Sequence, residues 1–305
     1  VTITPSETLS AVPTLTVTGG SITTAGAASN ANYVYTVTPS DADEAMTVVV
    51  AVGDAADSAG NTNTAASNNF GWTHDGTVPT VTSIAVTGVT SGQYGTAATY
   101  QVIVTGSEQL DAAPTLTLAG GSITTAGAGS GAGSATIWTY TFTPTDADEA
   151  VTIDIAAGGI TDAAGNDNTA AATQFAFTHD RTDPTATLTS THVNTGGSHN
   201  GAVTLTLTFS EEMTGIADGD ITVGGAACTL SAYTVATANT VFTQVCGGSG
   251  YTNGQLITIS VAADAGTDPA GNGNTAATDF TWTYDTTVPT VTSIAVTGVT
   301  SGQYG

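Results

Sequence analysis

The stretch Asp268-Pro-Ala-Gly-Asn-Gly-Asn-Thr-Ala-Ala277 decides the fold, because its opening Asp-x-x-Gly-Asn pattern recurs at residues 57–61 and 162–166. A second landmark, an Asp followed four residues later by Pro, recurs 105 positions apart at Asp75, Asp180 and Asp285. A third landmark is the Ser-Glu pair at residues 6–7, 107–108 and 210–211. Landmarks that return with a fixed period indicate a repeated structural module.

Between the landmarks the chain alternates Thr, Val, Ile and aromatic residues in short runs broken by Gly, Asn, Pro and Asp, as strands and turns do. Seven such runs predict strands in the middle repeat, at Val81–Val86, 99–105, 115–118, around Ile123, 136–143, 151–156 and 174–178. Seven short strands in about 105 residues suit an immunoglobulin-like sandwich. The predicted fold is therefore all-β, with tandem immunoglobulin-like β-sandwich modules of about 105 residues.

The repeat places the module boundaries. We expect module 1 at residues 1–75, module 2 at 76–180, module 3 at 181–285, and a linker with the first strand of a further module at 286–305. Aligning the modules sets Val1 opposite Val102, inside the second strand. Module 1 is therefore predicted to lack its first strand.

The charge balance is extreme, with 25 Asp and Glu residues against a single basic side chain, Arg181. Nucleic-acid binding depends on Lys and Arg that neutralise phosphates, so this composition excludes it. It also argues against adsorption to anionic lipid. Because no apolar run approaches the roughly 20 residues of a membrane span, we expect no membrane insertion.

The two cysteines, Cys228 and Cys246, lie in module 3 on either side of a predicted hairpin that turns near residues 236–239. A register centred on Thr237 sets the cysteines opposite each other and Leu230 opposite Gln244. A cross-strand disulfide is the prediction, and it would imply an oxidising compartment. The alternative is two free thiols that pack in the sheet.

Alternating strand direction places acidic residues around each linker. For the linker between modules 1 and 2 the predicted set is Asp41, Asp43, Glu44, Asp75, Glu108, Asp162 and Asn166. For the next linker the set is Asp146, Asp148, Glu149, Asp180, Asp183, Glu211, Asp268 and Asn272. In module 1 the residues Glu7, Asp57 and Asn61 form the same set without a linker Asp, which Asp285 of a neighbouring chain would supply.

Carboxylates that converge without Lys repel one another and raise one another's pKa. A hard divalent cation relieves that repulsion, and oxygen-only ligands favour Ca²⁺ over zinc or copper. We therefore predict Ca²⁺ as the cofactor. The alternative is that each Asp-x-x-Gly-Asn is only a turn, in which Asp binds backbone amides and Gly supplies a positive φ.

Three strings carry a resemblance to a known family: Phe209-Ser210-Glu211, the stretch 268–277, and the linker Asp285-Thr-Thr-Val-Pro-Thr290. Together they resemble the bacterial Ig-like repeats of large surface adhesins and fibres. The resemblance implies an extracellular or cell-surface spacer that often depends on Ca²⁺. Module 3 departs from the pattern because its loop at residues 251–255 lacks the Asp-Ala-Asp-Glu cluster.

Residues 287–305 repeat residues 77–95 letter for letter, so the tail carries a first strand that module 1 is predicted to lack. The predicted partner is therefore another copy of the chain, with residues 286–305 donated head to tail to the module at 1–75. The alternative is that the chain is a window on a longer continuous repeat protein.

No catalytic constellation is visible. His74 and His179 adjoin the linker Asp, but Tyr284 takes that position in module 3, so no histidine chemistry repeats. We expect a non-enzymatic structural protein, a Ca²⁺-stiffened filament or adhesin stalk. The competing interpretation is a carbohydrate-binding or spacer module of a larger secreted enzyme or adhesin, which for sugar binding would need an exposed aromatic platform.

Overall fold

The computed structural model describes residues 1–29, 32–129, 135–224, 228–298 and 300–302. Strands and turns make up the described residues apart from a single turn of 3₁₀ helix at Asp218–Asp220. No helix of the described residues is long and apolar enough to cross a membrane.

Module 1 contains two three-stranded sheets, with strand orders β1-β4-β3 and β2-β5-β6. Its strands are β1 (Thr2–Ile3), β2 (Thr16–Thr18), β3 (Gly20–Ser29), β4 (Asn32–Pro39), β5 (Asp43–Val49) and β6 (Phe70–Asp75). Leu15, Tyr33, Tyr35, Val48 and Val50 form the buried core between the sheets.

Module 2 contains two four-stranded sheets, ordered β11-β12-β9-β7 and β10-β13-β14-β8. Its strands are β7 (Val81–Val86), β8 (Tyr94–Gly95), β9 (Tyr100–Leu110), β10 (Thr117–Ala119), β11 (Gly121–Gly129), β12 (Ala135–Pro144), β13 (Asp148–Asp154) and β14 (Phe175–Asp180). All seven predicted strands are present. The two-residue β8, which pairs in parallel with β14, was not predicted because it is too short to show alternation.

Module 3 contains the sheets β15-β17-β21-β19, with β20 also pairing with β21, and β16-β23-β22-β18. Its strands are β15 (Ala186–Ser190), β16 (Gly197–His199), β17 (Val203–Phe209), β18 (Ile221–Gly224), β19 (Thr229–Leu230), β20 (Thr234–Thr237), β21 (Val241–Gly247), β22 (Gln255–Val261) and β23 (Phe280–Tyr284). Like β8, the short strand β16 pairs in parallel with the last strand of its module.

Two compact units make up the chain: Val1–Ser91, Thr99–Pro144 and Val151–Ala176 form the first, and Gly92–Ala98, Thr145–Ala150 and Phe177–Gly305 form the second. Both sheets of module 1 and the sheet β11-β12-β9-β7 lie within the first unit. Both sheets of module 3 lie within the second.

Side chains alternate between core and surface along the strands. In β17, Val203, Leu205, Leu207 and Phe209 are buried and the Thr residues between them point outwards. This period of two is what a strand with one face on a core requires. The aromatic residues of β12, β14 and β23 follow it too, and all but the half-buried Tyr284 are buried, as predicted: Trp138, Tyr140, Phe142, Phe175, Phe177, Phe280 and Trp282.

The disulfide between Cys228 and Cys246 is present, with a Cα–Cα distance of 5.5 Å. The predicted register was wrong, because Leu230 rather than Cys228 pairs with Cys246. The turn closes on Ala238 and Asn239, which have positive φ, and the β20–β21 pairing shifts register once more. The turn is centred later than predicted and the register shift reverses only part of the displacement, so Cys228 is not directly opposite Cys246 although the two are bonded.

Candidate metal centre at the module junctions

Three carboxylates converge where module 1 meets module 2. Asp75 is the last residue of β6, Glu108 lies in β9, and Asp162 lies in the loop between β13 and β14. One oxygen of each carboxylate lies within 4.8 Å of the others. The prediction had placed Glu108 at the start of a loop, but β9 continues through it to Leu110.

The loop that carries Asp162 is fixed in two ways. A β-bridge joins Asp162 to Leu110, two residues beyond Glu108 on β9. Asp162 Oδ1 also accepts hydrogen bonds of 2.8 Å from the backbone amides of Ala164 and Asn166, and Gly165 has a φ of 95°. Asp-x-x-Gly-Asn therefore forms the turn in which Asp binds backbone amides, and the carboxylate of the same Asp also lies among the three at the junction.

Asn166 connects the loop to the linker. Its Nδ2 donates to Asp162 Oδ2 at 2.9 Å, to the Asp75 carbonyl at 3.2 Å and to the Thr77 carbonyl at 3.4 Å. Two backbone carbonyls and a side-chain amide thus lie beside the three carboxylates. Each of these groups has an oxygen atom that could bind a cation.

The second junction repeats this arrangement with Asp180 at the end of β14, Glu211 just after β17, and Asp268 in the loop after β22. Their ligand atoms also lie within 4.8 Å of one another. Asn272 Nδ2 donates to Asp268 Oδ2 at 2.9 Å and to the Asp180 carbonyl and Oδ1 at 3.2 Å. The two three-carboxylate groups are named junction A (Asp75, Glu108, Asp162) and junction B (Asp180, Glu211, Asp268).

Burial and charge repulsion act together on the glutamates. Loss of solvent raises the pKa of Glu108, and the charges of Asp75, Asp162 and Asp43 raise it further. Burial likewise raises the pKa of Glu211, helped by Asp180, Asp268, Asp148 and Asp183. The pKa of Asp180 is raised chiefly by burial, with Asp268 and Asp148 contributing. These shifts are the electrostatic cost of bringing carboxylates together without a cation.

Burial alone would raise the pKa of Asp162, but hydrogen bonds from the Asn166 side chain and from the loop amides lower it overall. Asp162 and Asp268 are each only 2% exposed. The most enclosed carboxylate of junction A therefore stays in its charged form, which is the form that binds a cation.

Asp43 and Asp148 lie at the edge of the junctions. Thr77 Oγ1 donates to Asp43 Oδ2 at 2.8 Å, and this hydrogen bond is the main reason that the pKa of Asp43 is lowered. The hydroxyl of Thr182 lowers the pKa of Asp148 in the same way, and Asp148 Oδ1 also accepts a 3.2 Å hydrogen bond from the Arg181 amide. Each adds a fourth carboxylate near its junction, and its charge raises the pKa of the junction glutamate.

Five other predicted residues lie outside the three-carboxylate groups. Glu149 accepts hydrogen bonds from the backbone amides of Thr145 and Asp146 and so caps its own loop. Glu44 accepts from the Ser40 hydroxyl at 3.4 Å. Asp41, Asp146 and Asp183 are exposed, and Asp183 acts on Glu211 only through its charge.

Of the set predicted for module 1, the three residues that belong to the module lie along one cleft. A β-bridge joins Leu9 to Asp57, the counterpart of the Leu110–Asp162 bridge, and Glu7, Asp57 and Asn61 line one cleft. Asp57 accepts hydrogen bonds from the Ala59 and Asn61 amides, as Asp162 does in its loop. Asp285 belongs to the other compact unit, so its approach to this set in a neighbouring chain stays a prediction.

The linker after module 3 differs at the position that the sequence marked as divergent. Asp285 Oδ1 accepts a 2.8 Å hydrogen bond from the Thr287 amide. The amide of Asn253 takes the place of the Asp43 carboxylate, donating to Thr287 Oγ1 at 3.1 Å. The loop beside this linker therefore has no counterpart of Asp41, Asp43 or Glu44.

Two sets of structural residues escaped the sequence analysis. Ser107 Oγ accepts the Thr80 amide and Ser210 Oγ accepts the Thr185 amide, both at 2.9 Å, so in modules 2 and 3 the Ser of the Ser-Glu pair holds the linker. The second set is Asn63, Asn168 and Asn274, whose side chains each bridge three backbone groups. Their recurrence two residues after each Asp-x-x-Gly-Asn was the available signal.

Residues 180–284 match the family model of the bacterial Ig-like domain. Module 3 is similar to a bacterial Ig-like module. The chain as a whole is an all-β array of tandem Ig-like sandwiches. A search of curated protein sequences found no match to the chain.

The solved structures that are similar to the chain include the following two. One is the I-band fragment I67-I69 from titin, with 8% identity and a TM-score of 0.37, covering 88% of this chain and 87% of that chain. The other is the Bacteroides ovatus mixed-linkage glucan utilization locus protein SGBP-B in complex with a mixed-linkage heptasaccharide. It has 15% identity and a TM-score of 0.21, covering 90% of this chain and 62% of that chain. At these TM-scores neither similarity bears on function.

Proposed function

We propose that the protein is a non-enzymatic extracellular stalk or filament component whose module junctions are stiffened by Ca²⁺. The observation that carries the proposal is the convergence of three carboxylates at each of two junctions, in a chain with a single basic residue.

The donor set fits Ca²⁺. This ion takes six to eight oxygen ligands from carboxylates, amide groups and backbone carbonyls. Junction A offers three carboxylates, with Asn166 and the Asp75 and Thr77 carbonyls beside them. Junction B offers the same classes of group through Asn272 and Asp180. Histidine and cysteine are absent from both three-residue groups, which favours a hard cation.

The cation would act on the linker because its ligands come from both sides of it. Asp75 ends the last strand of module 1, whereas Glu108 and Asp162 belong to module 2. An ion that holds all three fixes the linker between two sandwiches at a defined geometry. Removal of the ion leaves mutually repelling carboxylates at that point, so the linker would bend more freely.

An extracellular setting is supported by the Cys228–Cys246 disulfide, since disulfides persist in oxidising compartments. The family match of module 3 to a bacterial Ig-like domain is compatible with a surface location. A spacer needs no catalytic group, and neither junction pairs a nucleophile with a base.

The carbohydrate-binding alternative needs an aromatic platform on the surface. In the described residues the large exposed aromatic side chains are Phe70 and Tyr94, which are 60% and 44% exposed. Phe70 lies in β6 and Tyr94 in β8, and the other aromatic rings pack largely into the cores. A glycan array that returns no binding agrees with the stalk, and specific binding would favour the alternative.

Calcium titration tests the proposal. The chelator-treated protein should bind two Ca²⁺ per chain by calorimetry, and Mg²⁺ should compete poorly. At 100 times Kd the ion should stabilise its module by about 2.7 kcal/mol, which is roughly 10 °C in melting temperature for about 105 residues. Electron micrographs should show greater bending after chelation. Melting curves that coincide with and without EDTA would contradict the proposal.

Glu211→Gln and Glu212→Gln make a matched pair for this titration. Glu211→Gln removes a carboxylate of junction B and should lower the affinity for one of the two Ca²⁺ ions at least about tenfold. Even changes outside the ligand shell lower metal affinity by that much. Glu212 is exposed, and its Oε1 accepts from Asn239 Nδ2 at 3.2 Å, an acceptor that Gln retains. The Glu212→Gln variant removes the same charge and should bind both ions normally.

A further inference from the structure

The one Lys or Arg residue among the 305 lies in the linker at junction B, where the backbone does not require it. Arg181 directly follows β14, and its counterparts 105 positions away are Gly76 and Thr286. The Arg181 amide donates to the Ala147 carbonyl at 3.0 Å. Gly76 donates to the Ala42 carbonyl at 2.7 Å, which is the same contact one module earlier. The linker backbone is thus held in the same way by glycine, so the fold does not explain the arginine.

The peptide bond after this arginine lies at the surface. Arg181, Thr182 and Asp183 are exposed and belong to no strand or helix. The residues that flank them are buried: Asp180 is 9% exposed, and Pro184 is buried as well. Exposed segments between folded elements are the preferred sites of proteolytic cleavage.

The arginine side chain selects one class of protease. Serine proteases with an acidic specificity pocket cut after Arg or Lys, and the 305 residues contain one such bond. In its hydrolysis the hydroxyl group of a water molecule joins the Arg181 carbonyl carbon, the C–N bond breaks, and the remaining hydrogen of the water goes to the Thr182 nitrogen. The products are residues 1–181 and 182–305, so a single cut severs the chain between modules 2 and 3.

The folded linker is held on both sides of that bond. On one side Asn272 Nδ2 donates to the Asp180 carbonyl at 3.2 Å. On the other side the Thr275 amide donates to the Pro184 carbonyl at 2.8 Å. A protein that binds an extended peptide does so through the peptide's main-chain hydrogen-bonding groups, and these groups already have partners in the linker. Cleavage therefore requires local opening of the linker.

Opening the linker also disrupts junction B, because the same residues belong to both. Asp180 Oδ1 accepts the Thr182 amide at 3.3 Å, and Asp180 is one of the three carboxylates of the junction. Asp148 Oδ1 accepts the Arg181 amide at 3.2 Å. Moving the Arg181–Thr182 bond into an active site draws Asp180 away from the other two carboxylates. A bound cation opposes that movement, whereas the repulsion between carboxylates favours it.

We infer that the Arg181–Thr182 bond is a cleavage site for arginine-specific serine proteases, and that Ca²⁺ at junction B controls access to it. The control by Ca²⁺ rests on the proposed function, whereas the cleavage site does not. At low protease concentration the cleavage rate follows the population of the open form. An ion present at 100 times its Kd lowers that population about 100-fold.

Digestion of the full chain by trypsin tests the inference. In EDTA the protein should give two fragments, residues 1–181 and 182–305, identified by mass spectrometry. Free Ca²⁺ at 100 times its Kd should slow the cut about 100-fold. Rates are divided by the rate of hydrolysis of a small arginine ester in the same buffer, which corrects for any effect of Ca²⁺ on trypsin. Equal corrected rates in EDTA and in Ca²⁺ would overturn the control by the ion.

A variant with the arginine moved to another loop provides the control. Arg181→Gln combined with Ser249→Arg keeps one arginine but places it in the exposed loop between β21 and β22. This variant should be cut at about the same rate in EDTA and in Ca²⁺. A slowing by Ca²⁺ as large as in the native chain would show that the protection does not arise at junction B. If the variant is cut in EDTA and the native chain is not, the cleavage site at Arg181 is wrong.

The matched pair of glutamate variants connects the protection to the ion. At the same Ca²⁺ concentration Glu211→Gln should be protected only about tenfold relative to its own rate in EDTA, because its affinity is about tenfold lower. Glu212→Gln should be protected like the native chain. Equal protection of the two variants would contradict control through junction B.

Calorimetry separates the failure of this inference from the failure of the proposed function. Binding of two Ca²⁺ ions without protection of the Arg181–Thr182 bond leaves the proposed function standing and overturns the control of cleavage. Cleavage at Arg181 in a chain that binds no Ca²⁺ supports the cleavage site and overturns both the proposed function and the control by the ion.

Discussion

Junction A and junction B contain the same three residue types at equivalent positions of the fold, but they differ in how far they exclude water. Asp180 of junction B is 9% exposed, whereas its counterpart Asp75 is only half-buried. Four carboxylates raise the pKa of Glu211 in junction B, and three raise that of Glu108 in junction A. Repulsion is stronger where fewer water molecules screen it. Junction B should therefore depend more on a cation than junction A.

The largest expected effect comes from removing the side chain that holds a junction loop in place. Asn274 Oδ1 accepts the Gly266 amide at 3.0 Å, and its Nδ2 donates to the Ala262 and Thr275 carbonyls at 2.9 Å. Asn274→Ala leaves three backbone groups unpaired and should destabilise module 3 by about 3 kcal/mol, measured by urea unfolding. It should also abolish Ca²⁺ binding at junction B, because Asp268 and Asn272 lie on that loop.

Asn168→Ala is the matched change for junction A, since Asn168 also accepts one backbone amide and donates to two backbone carbonyls in module 2. Each variant should lose the ion at its own junction and keep the other. If either variant lost both ions, the two junctions would not be separate sites.

A smaller effect, of opposite sign with and without Ca²⁺, comes from neutralising the glutamate of each junction. Glu211→Gln removes a repelled charge and should stabilise the ion-free protein, by at most about 1 kcal/mol for a partly exposed group. Glu108→Gln should act in the same direction but less. In saturating Ca²⁺ both variants should be less stable than the native chain. Differential scanning calorimetry of both variants in EDTA and in Ca²⁺ measures these changes in stability. Equal stabilisation by the two substitutions in EDTA would contradict the difference between the junctions.

The smallest effect is a pH dependence of the ion-free protein. The pKa values of Glu108, Glu211 and Asp180 are raised in the folded state. Just above the ordinary carboxyl pKa of about 4, the folded state therefore binds more protons than the unfolded state, and stability falls as pH rises through that window. The pKa values of Asp43, Asp57, Asp148, Asp162 and Asp285 are lowered, so their contribution is lost as pH falls below the ordinary range.

Melting in EDTA should consequently be highest near the ordinary carboxyl range and decline towards neutral pH, and Ca²⁺ should reduce that decline. Glu211→Gln should flatten the curve more than Glu108→Gln does. An ion-free melting temperature that climbs steadily to pH 7 contradicts the sign of the raised pKa values.

Much of the fold could be predicted because its signals are local. Alternation located the seven strands of module 2, and turn residues located the loops that carry Asp57, Asp162 and Asp268. The convergence of Asp75, Glu108 and Asp162 followed from strand direction alone, which is a topological property of a sandwich. The spacing of 105 residues then extended the same expectation to Asp180, Glu211 and Asp268.

Other features depended on contacts that sequence spacing does not reveal. Glu149 was expected at the junction, but its carboxylate caps the Thr145 and Asp146 amides of its own loop. The predicted hairpin register was wrong because the turn on Ala238 and Asn239 is centred later than expected, and the register shift in the β20–β21 pairing reverses only part of that displacement. Local hydrogen bonds of this kind compete with longer-range positions, and only three-dimensional packing shows which of them forms.

The sequence by itself determined the module class, the repeat length, the acidic character and the candidates for the two junctions, because periodicity, turn chemistry and charge are written along the chain. Only the tertiary structure decided which carboxylates meet, how deeply Asp162, Asp180 and Asp268 are buried, and that Phe70 stays exposed while Phe175 is covered. Burial and mutual distance arise when separate strands pack together. They set the strength of the repulsion between the carboxylates at the junctions.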